Sequence, residues 1–329
     1  AQAILAQGEG LPGETPATHA HNLLECCRQM TDADDAEGAH EAEGAALARK
    51  TARKSKEAAA AAAAPPPEEL QGQVLAAYDP ARHPFPDLLR EVLGEPPGAD
   101  LGRLHESECA QRVLACWRRE ELAEALGPRG NPWNRRFHAC PQQQPELFGR
   151  LTAAYHDFLR SVVLPELGAE RLAFQASPTF RCHLPGCGAP GRPHRDEDYH
   201  HPRCEVNYWI PATRTFGTNS LYAESVRGAG DFRPFEVSPG QLVRFYGNQV
   251  WHYTVPNETD CTRVSIDFRV IREQEWSAEA FATFKIGAYF SVMTREGLLR
   301  NGDAELRLLQ ERYQCLPPPR KAKKRHLES

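Results

Sequence analysis

The stretch Glu205-Val206-Asn207-Tyr208-Trp209-Ile210 alternates with a period of two. On a β-strand, successive side chains point to opposite faces, so its odd-numbered residues share one face and its even-numbered residues share the other. The stretch Thr179-Phe180-Arg181-Cys182-His183-Leu184 alternates in the same way. Both stretches therefore predict strands of a sheet that carries polar side chains along one of its faces.

The residues around these stretches predict which other elements surround the sheet. Short runs bounded by Gly, Pro and Asn predict strands over residues 219–224, 232–237, 242–246 and 263–271. Apolar residues at helical spacing predict helices over 105–126 and 145–164, and a short helix over 276–284. The predicted elements begin with helices and continue with antiparallel strands. This order predicts a mainly β fold, a sandwich or jelly roll with helices outside one sheet.

The two ends of the chain differ in composition from its centre. Residues 1–71 contain an acidic patch, a basic run, an alanine run and three prolines, with no apolar face that could pack, so we interpret them as a disordered tail or linker. We expect one folded domain over 72–316, with helices in 75–168, a β core in 172–272 and further elements in 273–316. Residues 317–329 are interpreted as a basic tail.

Charge and cysteine content exclude several classes of protein. The 329 residues carry a net charge of −5, which predicts no nucleic-acid partner and no attraction to an anionic membrane. No apolar run approaches the roughly 20 residues that span a bilayer. The ten cysteines show no regular spacing and predict reduced thiols in an intracellular, cytoplasmic protein. Because the chain begins at Ala1, a lost N-terminal targeting segment stays open.

A candidate metal site is formed by His194, Asp196 and His252. The first two residues follow a glycine-rich loop and are predicted to open a strand, which would point both side chains to one face. His252 ends a glycine-led run that is predicted to return across the sheet. Two histidines and one carboxylate hold ferrous iron and leave its other positions open. Arg263, eleven residues later, is well placed to bind a carboxylate cosubstrate.

Other assignments of the metal ligands stay open at this point. The three residues could be surface side chains, since the chain has 13 histidines. His200 and His201 are neighbours and would point to opposite faces of a strand, so we expect them in a loop near the pocket entrance. Asp198 replaces Asp196 only if the strand register shifts by two residues. A zinc site could also be drawn, although its spacing matches no common pattern; its members would be Cys182, His183, Cys187 and Cys204.

Taken together, these motifs resemble those of the iron(II)/2-oxoglutarate-dependent dioxygenases of the double-stranded β-helix fold. The similarity is greatest to the branch typified by the streptomycin-biosynthesis dioxygenase-like proteins, and it covers about residues 172–290, with weaker support over 75–171. The matching segments are His194-x-Asp196-x-x-Tyr199, Glu205-x-Asn207-x-Trp209-x-Pro211, Gly217-Thr218-Asn219-Ser220-Leu221, Phe245-Tyr246-Gly247-Asn248 and Thr262-Arg263-Val264-Ser265-x-Asp267-Phe268-Arg269-Val270.

The resemblance implies a cupin-like jelly-roll barrel that binds Fe(II) through His194, Asp196 and His252. 2-Oxoglutarate would chelate the iron beside O2, and Arg263 with Ser265 would bind its distal carboxylate. Asp196 occupies the position that is vacant in the related halogenases, so the resemblance favours hydroxylation or desaturation over chlorination.

Candidates for substrate binding follow from strand alternation and from the matching segments. Polar side chains on an interior face are costly unless they are paired, so Arg181 and Asn207 rank highest, although an outward polar face stays open. Cationic and amide donors predict a small polar or anionic substrate, such as an amino acid or a sugar-like compound. The full set is Arg181, His183, Asn207, Asn219, Tyr246, Asn248 and Arg269.

We therefore expect an enzyme that hydroxylates or desaturates a small polar molecule with O2 and releases succinate and CO2. Two alternatives stay open. One is a metal-binding barrel that acts as a sensor or binding protein. The other is a protein-directed hydroxylase, which the long N-terminal linker and the basic tail weakly favour.

Overall fold

The computed structural model describes residues 64–108, 110–111, 132–189 and 192–313. Most of the predicted N-terminal tail, most of the helix predicted over 105–126 and the whole basic tail lie outside these residues. None of the described helices is long and apolar enough to cross a bilayer.

The described elements follow one another in this order. The helices are α1 (Glu68–Gln71), α2 (Phe85–Val92), α3 (Pro132–Gln143), α4 (Pro145–Phe158), α5 (Leu164–Glu166) and α6 (Ala304–Arg312), and a π-helical turn, Leu159–Val163, joins α4 to α5. The strands are β1 (Val74–Ala77), β2 (Arg171–Gln175), β3 (Thr179–His183), β4 (Val206–Pro211), β5 (Tyr222–Ala223), β6 (Arg233–Pro234), β7 (Gln241–Phe245), β8 (His252–Tyr253), β9 (Arg263–Arg272) and β10 (Phe290–Thr294). Short 3-10 helices span Leu101–Glu106, Asp196–Tyr199, Gly217–Asn219, Glu273–Glu275 and Glu279–Phe281.

These strands form two antiparallel sheets of a jelly-roll fold. The major sheet has the order β1-β7-β4-β9-β2-β10, with β3 also paired to β9, and the minor sheet has the order β6-β5-β8. Strand β9 is central because β4 pairs along one side of it while β3 and β2 pair in succession along the other. Among the described strands, no ladder closes the two sheets into a continuous barrel.

One face of the major sheet carries the helices. Tyr208 of β4 stacks on Phe268 of β9 with ring centroids 5.4 Å apart, and Tyr155 of α4 meets Phe268 edge-on at 5.0 Å. Phe158 of α4 and Phe85 of α2 are fully buried in the same cluster. Burial of each such side chain stabilises the fold by roughly 1.5–3 kcal/mol, so the helices are held by packing on this face.

The opposite face of the major sheet looks toward the minor sheet. Trp209 and Phe245 pack there against Phe235, and form a second, smaller apolar cluster. The polar residues of β3, β4 and β9 share this face, since Arg181 lies opposite Ser265 and Asn207 lies opposite Arg269 in the ladders. The predicted row of polar side chains therefore lies in the interior, between the two sheets.

The structure confirms the longer predicted elements and changes the shorter ones. The helix predicted over 145–164 and the strands predicted at 179–184, 205–210, 242–246 and 263–271 are present within a few residues. The predictions for 219–224 and 232–237 were wrong in length, since two-residue strands flanked by loops form there, and 276–284 contains only a 3-10 turn. The predicted helical N-terminal part also contains β1, which pairs with β7 at the edge of the major sheet.

Candidate active site

His194 and His252 are brought together by a backbone bridge between distant segments. His194 donates its amide N–H to the carbonyl of His252 at 3.1 Å, and His252 donates to the carbonyl of His194 at 3.0 Å. The two imidazole rings consequently lie 4.3 Å apart between ring centroids. The predicted return of His252 across the sheet is thus present, as strand β8 of the minor sheet.

Asp196 completes a compact group of three ligand atoms. Its Oδ1 lies 3.7 Å from Nε2 of His194 and 3.7 Å from Nε2 of His252. The group could hold a metal ion, and among the described residues no other cluster of three His, Cys, Asp or Glu side chains has its ligand atoms within 4.8 Å of one another.

The backbone that presents Asp196 differs from the predicted strand. Asp196 begins the 3-10 helix Asp196–Tyr199, and the carboxylate of Asp198 accepts a hydrogen bond from the amide of Arg195 at 2.9 Å. Asp198 competes in this way for the backbone groups that a strand would need. The prediction that His194 and Asp196 open a strand was therefore wrong, although both side chains still converge on one point.

The proton positions suit metal binding. Nδ1 of His194 lies 2.7 Å from the carbonyl of Arg192, and Nδ1 of His252 lies 3.1 Å from the carbonyl of Val250. A proton on each Nδ1 satisfies these contacts and leaves the Nε2 lone pairs directed at the ligand group. Burial, together with the charge of His194, lowers the pKa of His252 to about 4, so its imidazole is neutral at pH 7.

Two neighbours on the interior face hold the carboxylate of Asp196. Arg269 donates from Nε to Oδ2 at 2.8 Å and from Nη2 to Oδ1 at 3.0 Å, while Asn207 donates from Nδ2 to Oδ2 at 2.7 Å. Although burial opposes ionisation, the charge of Arg269 and the hydrogen bonds that it donates hold the pKa of Asp196 well below its usual value. Asp196 is thus a fully buried, ionised carboxylate in a fixed orientation.

Gly247 makes room for this arrangement. Its carbonyl accepts the amide N–H of Asp196 at 2.9 Å, and a Cβ at this position would lie 2.7 Å from Nδ2 of Asn207. Real Cβ atoms do not approach that closely, so the asparagine reaches Asp196 only because residue 247 has no side chain.

A further buried carboxylate lies behind Arg269. Glu205 is fully buried, with Oε1 2.6 Å from Nδ1 of His201 and 3.7 Å from Nε of Arg269. Burial raises the pKa of Glu205 even though His201 and Arg269 oppose that shift. His201 lies in a loop, as predicted, but the loop buries it against Glu205 instead of exposing it at a pocket entrance.

Arg263 is placed in a different electrostatic environment from Arg269. Its side chain is only 2% exposed, and Nη1 donates to the backbone carbonyl of Asn219 at 3.1 Å. Its Nε and the hydroxyl of Ser265, two residues along β9, are both buried without a hydrogen-bond partner among the described residues. Burial and the nearby charge of Arg181 lower the pKa of Arg263 to about 10, so it remains a cation at neutral pH.

One cavity joins these groups. It is lined by Arg181, Arg192, His194, Asn207, Trp209, Leu221, Phe245, His252, Tyr253, Thr254, Arg263, Asp267 and Arg269. This space is therefore shared by both histidines of the ligand group and by the buried cation Arg263. It is also lined by three of the predicted substrate residues, Arg181, Asn207 and Arg269.

The other four predicted substrate residues do not line this cavity. Nε2 of His183 lies 3.2 Å from the carbonyl of Cys187, and burial and Arg263 lower the pKa of His183 to about 3. The side chains of the remaining three bond mainly to backbone groups: Asn219 to Phe216, Arg214 and Cys261; Tyr246 to Arg203; and Asn248 to His201 and Pro202. These contacts hold loops around the site.

The alternative ligand assignments are not supported by the geometry. Asp198 pairs with Arg195 at 3.2 Å, and His200 occupies a turn with a φ of 67°. Within the described ranges, the cysteines drawn as a zinc site do not form a ligand cluster. Cys182 and His183 are neighbours on β3 and so point to opposite faces of the sheet.

Several cavity residues were not among the sequence candidates. Asp267 lies on β9 between Ser265 and Arg269, so the same period of two could have identified it. Arg192, Tyr253 and Thr254 come from loops or from the two-residue strand β8, where no periodic pattern marks the direction of a side chain.

Comparison with known proteins identifies a relative. The streptomycin biosynthesis protein StrG of Streptomyces griseus is 30% identical over 222 residues, which is 66% of this chain and 96% of the relative. No protein-family model matches the sequence.

Several solved structures are similar to parts of this chain at low identity. A non-haem monooxygenase, the ThoJ–Ni complex, is 15% identical over 77% of this chain and 87% of its own, with a TM-score of 0.34. A Pseudomonas putida prolyl-4-hydroxylase is 19% identical over 66% and 94%, with a TM-score of 0.33. CytC3 with Fe(II) and α-ketoglutarate is 12% identical over 63% and 75%, with a TM-score of 0.34.

The identity to StrG extends over nearly the whole of that relative. The group of His194, Asp196 and His252 fits Fe(II), and Arg263 in the same cavity fits 2-oxoglutarate. The chain belongs to the iron(II)/2-oxoglutarate-dependent dioxygenase superfamily, in the branch of the streptomycin-biosynthesis dioxygenase-like proteins.

Proposed function

We propose that this dioxygenase hydroxylates or desaturates a small polar or anionic molecule, with His194, Asp196 and His252 as iron ligands and Arg263 with Ser265 as the site of the distal carboxylate of 2-oxoglutarate. When bound, iron(II) and 2-oxoglutarate supply the oxidising chemistry, in which O2 is consumed and succinate and CO2 are released.

The observation that carries this proposal is the buried, uncompensated cation Arg263. An isolated charge is expensive to bury, and Arg263 has no carboxylate partner within hydrogen-bonding distance in the described parts of the chain. Its free Nε and the free hydroxyl of Ser265 would both be satisfied by a carboxylate. Because the same cavity is lined by His194 and His252, a dicarboxylic acid anchored at Arg263 would extend toward the metal ligands.

The remaining residues position and shield the reacting groups. Arg269 and Asn207 fix the plane of the Asp196 carboxylate, and the backbone carbonyls of Arg192 and Val250 hold the two imidazoles with Nε2 directed at the ligand group. Trp209 and Phe245 provide apolar walls that limit access of water to the cavity.

An anaerobic titration tests the proposal. Iron(II) and then 2-oxoglutarate are added to the protein, and the metal-to-ligand charge-transfer absorption is recorded before oxygen is admitted. We expect a saturable absorption band, followed by slow formation of succinate without added substrate. Absence of both the band and succinate would rule the proposal out.

A further inference from the structure

We propose that Arg181, together with Arg192 at the exposed edge of the cavity, binds an acidic group of the substrate, a carboxylate or a phosphate. This inference rests on the proposed function and narrows its substrate class from polar or anionic molecules to acids.

The distribution of charge in the cavity is the first observation. Four arginines line it, Arg181, Arg192, Arg263 and Arg269, whereas Asp267 is the one carboxylate that the described residues contribute to the lining. Arg269 is already paired with Asp196 at 2.8 Å and with Asp267 at 3.5 Å, and Arg263 is the residue that fits the distal carboxylate of 2-oxoglutarate. Two guanidinium groups therefore remain without an assigned anion, in a chain whose net charge is −5.

The position of Arg181 is the second observation. It lies on β3 opposite Ser265, on the interior face of the major sheet, and is half-buried. In the described parts of the chain its guanidinium makes no hydrogen bond and no ion pair. Its charge helps to lower the pKa of Arg263, so two cations repel each other across the cavity. One carboxylate at Arg263 would leave the charge of Arg181 uncompensated, and a second anion would relieve it.

Arg192 extends the same cationic surface toward solvent. Its carbonyl receives the hydrogen bond from Nδ1 of His194 at 2.7 Å, so its backbone is held next to a proposed metal ligand while its side chain is exposed. Guanidinium groups bind carboxylate and phosphate oxygens in a bidentate manner, which orients a ligand as well as attracting it. An acid held by these two arginines would have the rest of its carbon skeleton directed into the cavity beside His194 and His252.

Small acids bound to the loaded protein test this inference. Protein carrying iron(II) and 2-oxoglutarate is kept anaerobic and titrated calorimetrically with methylphosphonate, with acetate and with the neutral analogue acetamide. We expect at least one acid to bind while the charge-transfer band persists, and acetamide not to bind. Comparison of the two acids shows whether a phosphate or a carboxylate is preferred. Arg181→Gln should lower the affinity for the acid about ten-fold or more. It should change the affinity for 2-oxoglutarate less than about two-fold.

A matched control removes the same charge elsewhere. Arg135→Gln, at an exposed position of α3 that does not line the cavity, should leave binding of both acids unchanged. The inference is overturned if neither acid binds the loaded wild-type protein. It is also overturned if Arg181→Gln lowers the affinity for 2-oxoglutarate as much as the affinity for the acid, because Arg181 would then belong to the cosubstrate site. In both cases a persistent charge-transfer band leaves the proposed function standing, whereas a missing band in the wild-type protein contradicts that function and this inference together.

Discussion

At the scale of single residues, two arginines on β9 show how surroundings decide what a side chain does. Arg263 and Arg269 both lie on the interior face of the strand, but only Arg269 meets a carboxylate among the described residues, Asp196. Arg269 thus helps to hold a proposed metal ligand, whereas Arg263 keeps its charge available for an incoming anion. The period of two in the sequence predicts that both point the same way, but it does not predict which one is already paired.

Replacement of Arg263 tests this difference. Arg263→Ala is expected to weaken 2-oxoglutarate binding by about 2–5 kcal/mol, because it removes the buried partner of the carboxylate, and to leave iron(II) affinity nearly unchanged. Both affinities are measured by anaerobic titration. Arg263→Lys keeps the charge but loses the fork of donors, so an intermediate loss is expected. Weaker iron binding with unchanged 2-oxoglutarate affinity would show that Arg263 is misassigned.

Gly247 is the second residue whose role can be measured. In Gly247→Ala the new Cβ would force Asn207 away from Asp196, so we expect iron(II) affinity to fall about ten-fold or more and the free energy of unfolding to fall by about 1–3 kcal/mol. Gly149→Ala is the control, since Gly149 lies exposed on α4 where an added Cβ would meet open space, and alanine there should be neutral or slightly stabilising. Unchanged iron affinity in Gly247→Ala would contradict the positioning role of Asn207.

At the scale of elements, long periodic segments form as their sequence predicts, and short ones are decided by their neighbours. Strand β9, whose first eight residues alternate, and helix α4, with its apolar stripe, are both present. The segment after His194 contains three consecutive acidic residues, Asp196, Glu197 and Asp198, and forms a 3-10 helix. The Asp198 carboxylate accepts the amide N–H of Arg195 there, and such local side-chain hydrogen bonds override the weak two-residue pattern beyond the single bridge from His194 to His252.

The docking of α4 on the major sheet gives an element-scale prediction. Phe158 is fully buried against Tyr78, Phe85 and Phe268, with ring centroids 5.3–6.4 Å away. Phe158→Ala should lower the free energy of unfolding by about 3–5 kcal/mol, because a cavity remains in the core. Leu308→Ala, an exposed position on α6, should change it by less than about 0.5 kcal/mol. Urea denaturation measures both, and equal effects would contradict the proposed packing.

At the scale of the whole molecule, the site combines parts that are far apart in the chain. His252 belongs to the minor sheet, Arg263 belongs to the major sheet, and Asp196 lies in a connection between strands. Under the proposed function, iron(II) needs both Asp196 and His252, and 2-oxoglutarate needs Arg263 as well as the iron, so the two ligands bind fully only when these parts are assembled. Binding of iron(II) and 2-oxoglutarate is therefore coupled to folding of the domain as a whole.

This coupling predicts a thermal shift that depends on His252. Iron(II) at about 100 times its Kd should add about 2.7 kcal/mol to the free energy of unfolding of the wild-type protein, and 2-oxoglutarate should add more. His252→Ala is expected to lose both increments, because a ligand group of two donors binds iron weakly. His138→Ala, an exposed histidine on α3, should retain both. Anaerobic scanning calorimetry measures the shifts, and a full shift in His252→Ala would mean that another residue completes the metal site.

The sequence by itself determined which residues share one face of the sheet and which chemistry they can support, whereas the fold placed that face in the interior. Alternation along β3, β4 and β9 depends only on local backbone geometry, so the directions of Arg181, Asn207, Arg263 and Arg269 could be predicted without knowledge of the fold. The kinds of ligand were also predictable, since histidine and carboxylate groups suit iron and a guanidinium suits a carboxylate.

Only the tertiary structure decided which of these groups meet. Asp196 and Arg269 are 73 residues apart, and their contact depends on the register of β9 with β4 and on the 3-10 helix that presents the carboxylate. Among the described residues, packing leaves Arg263 without a carboxylate within hydrogen-bonding distance and leaves the guanidinium of Arg181 without a hydrogen bond or ion pair. Pairing of charges across such distances follows from packing and register, which no local pattern in the sequence encodes.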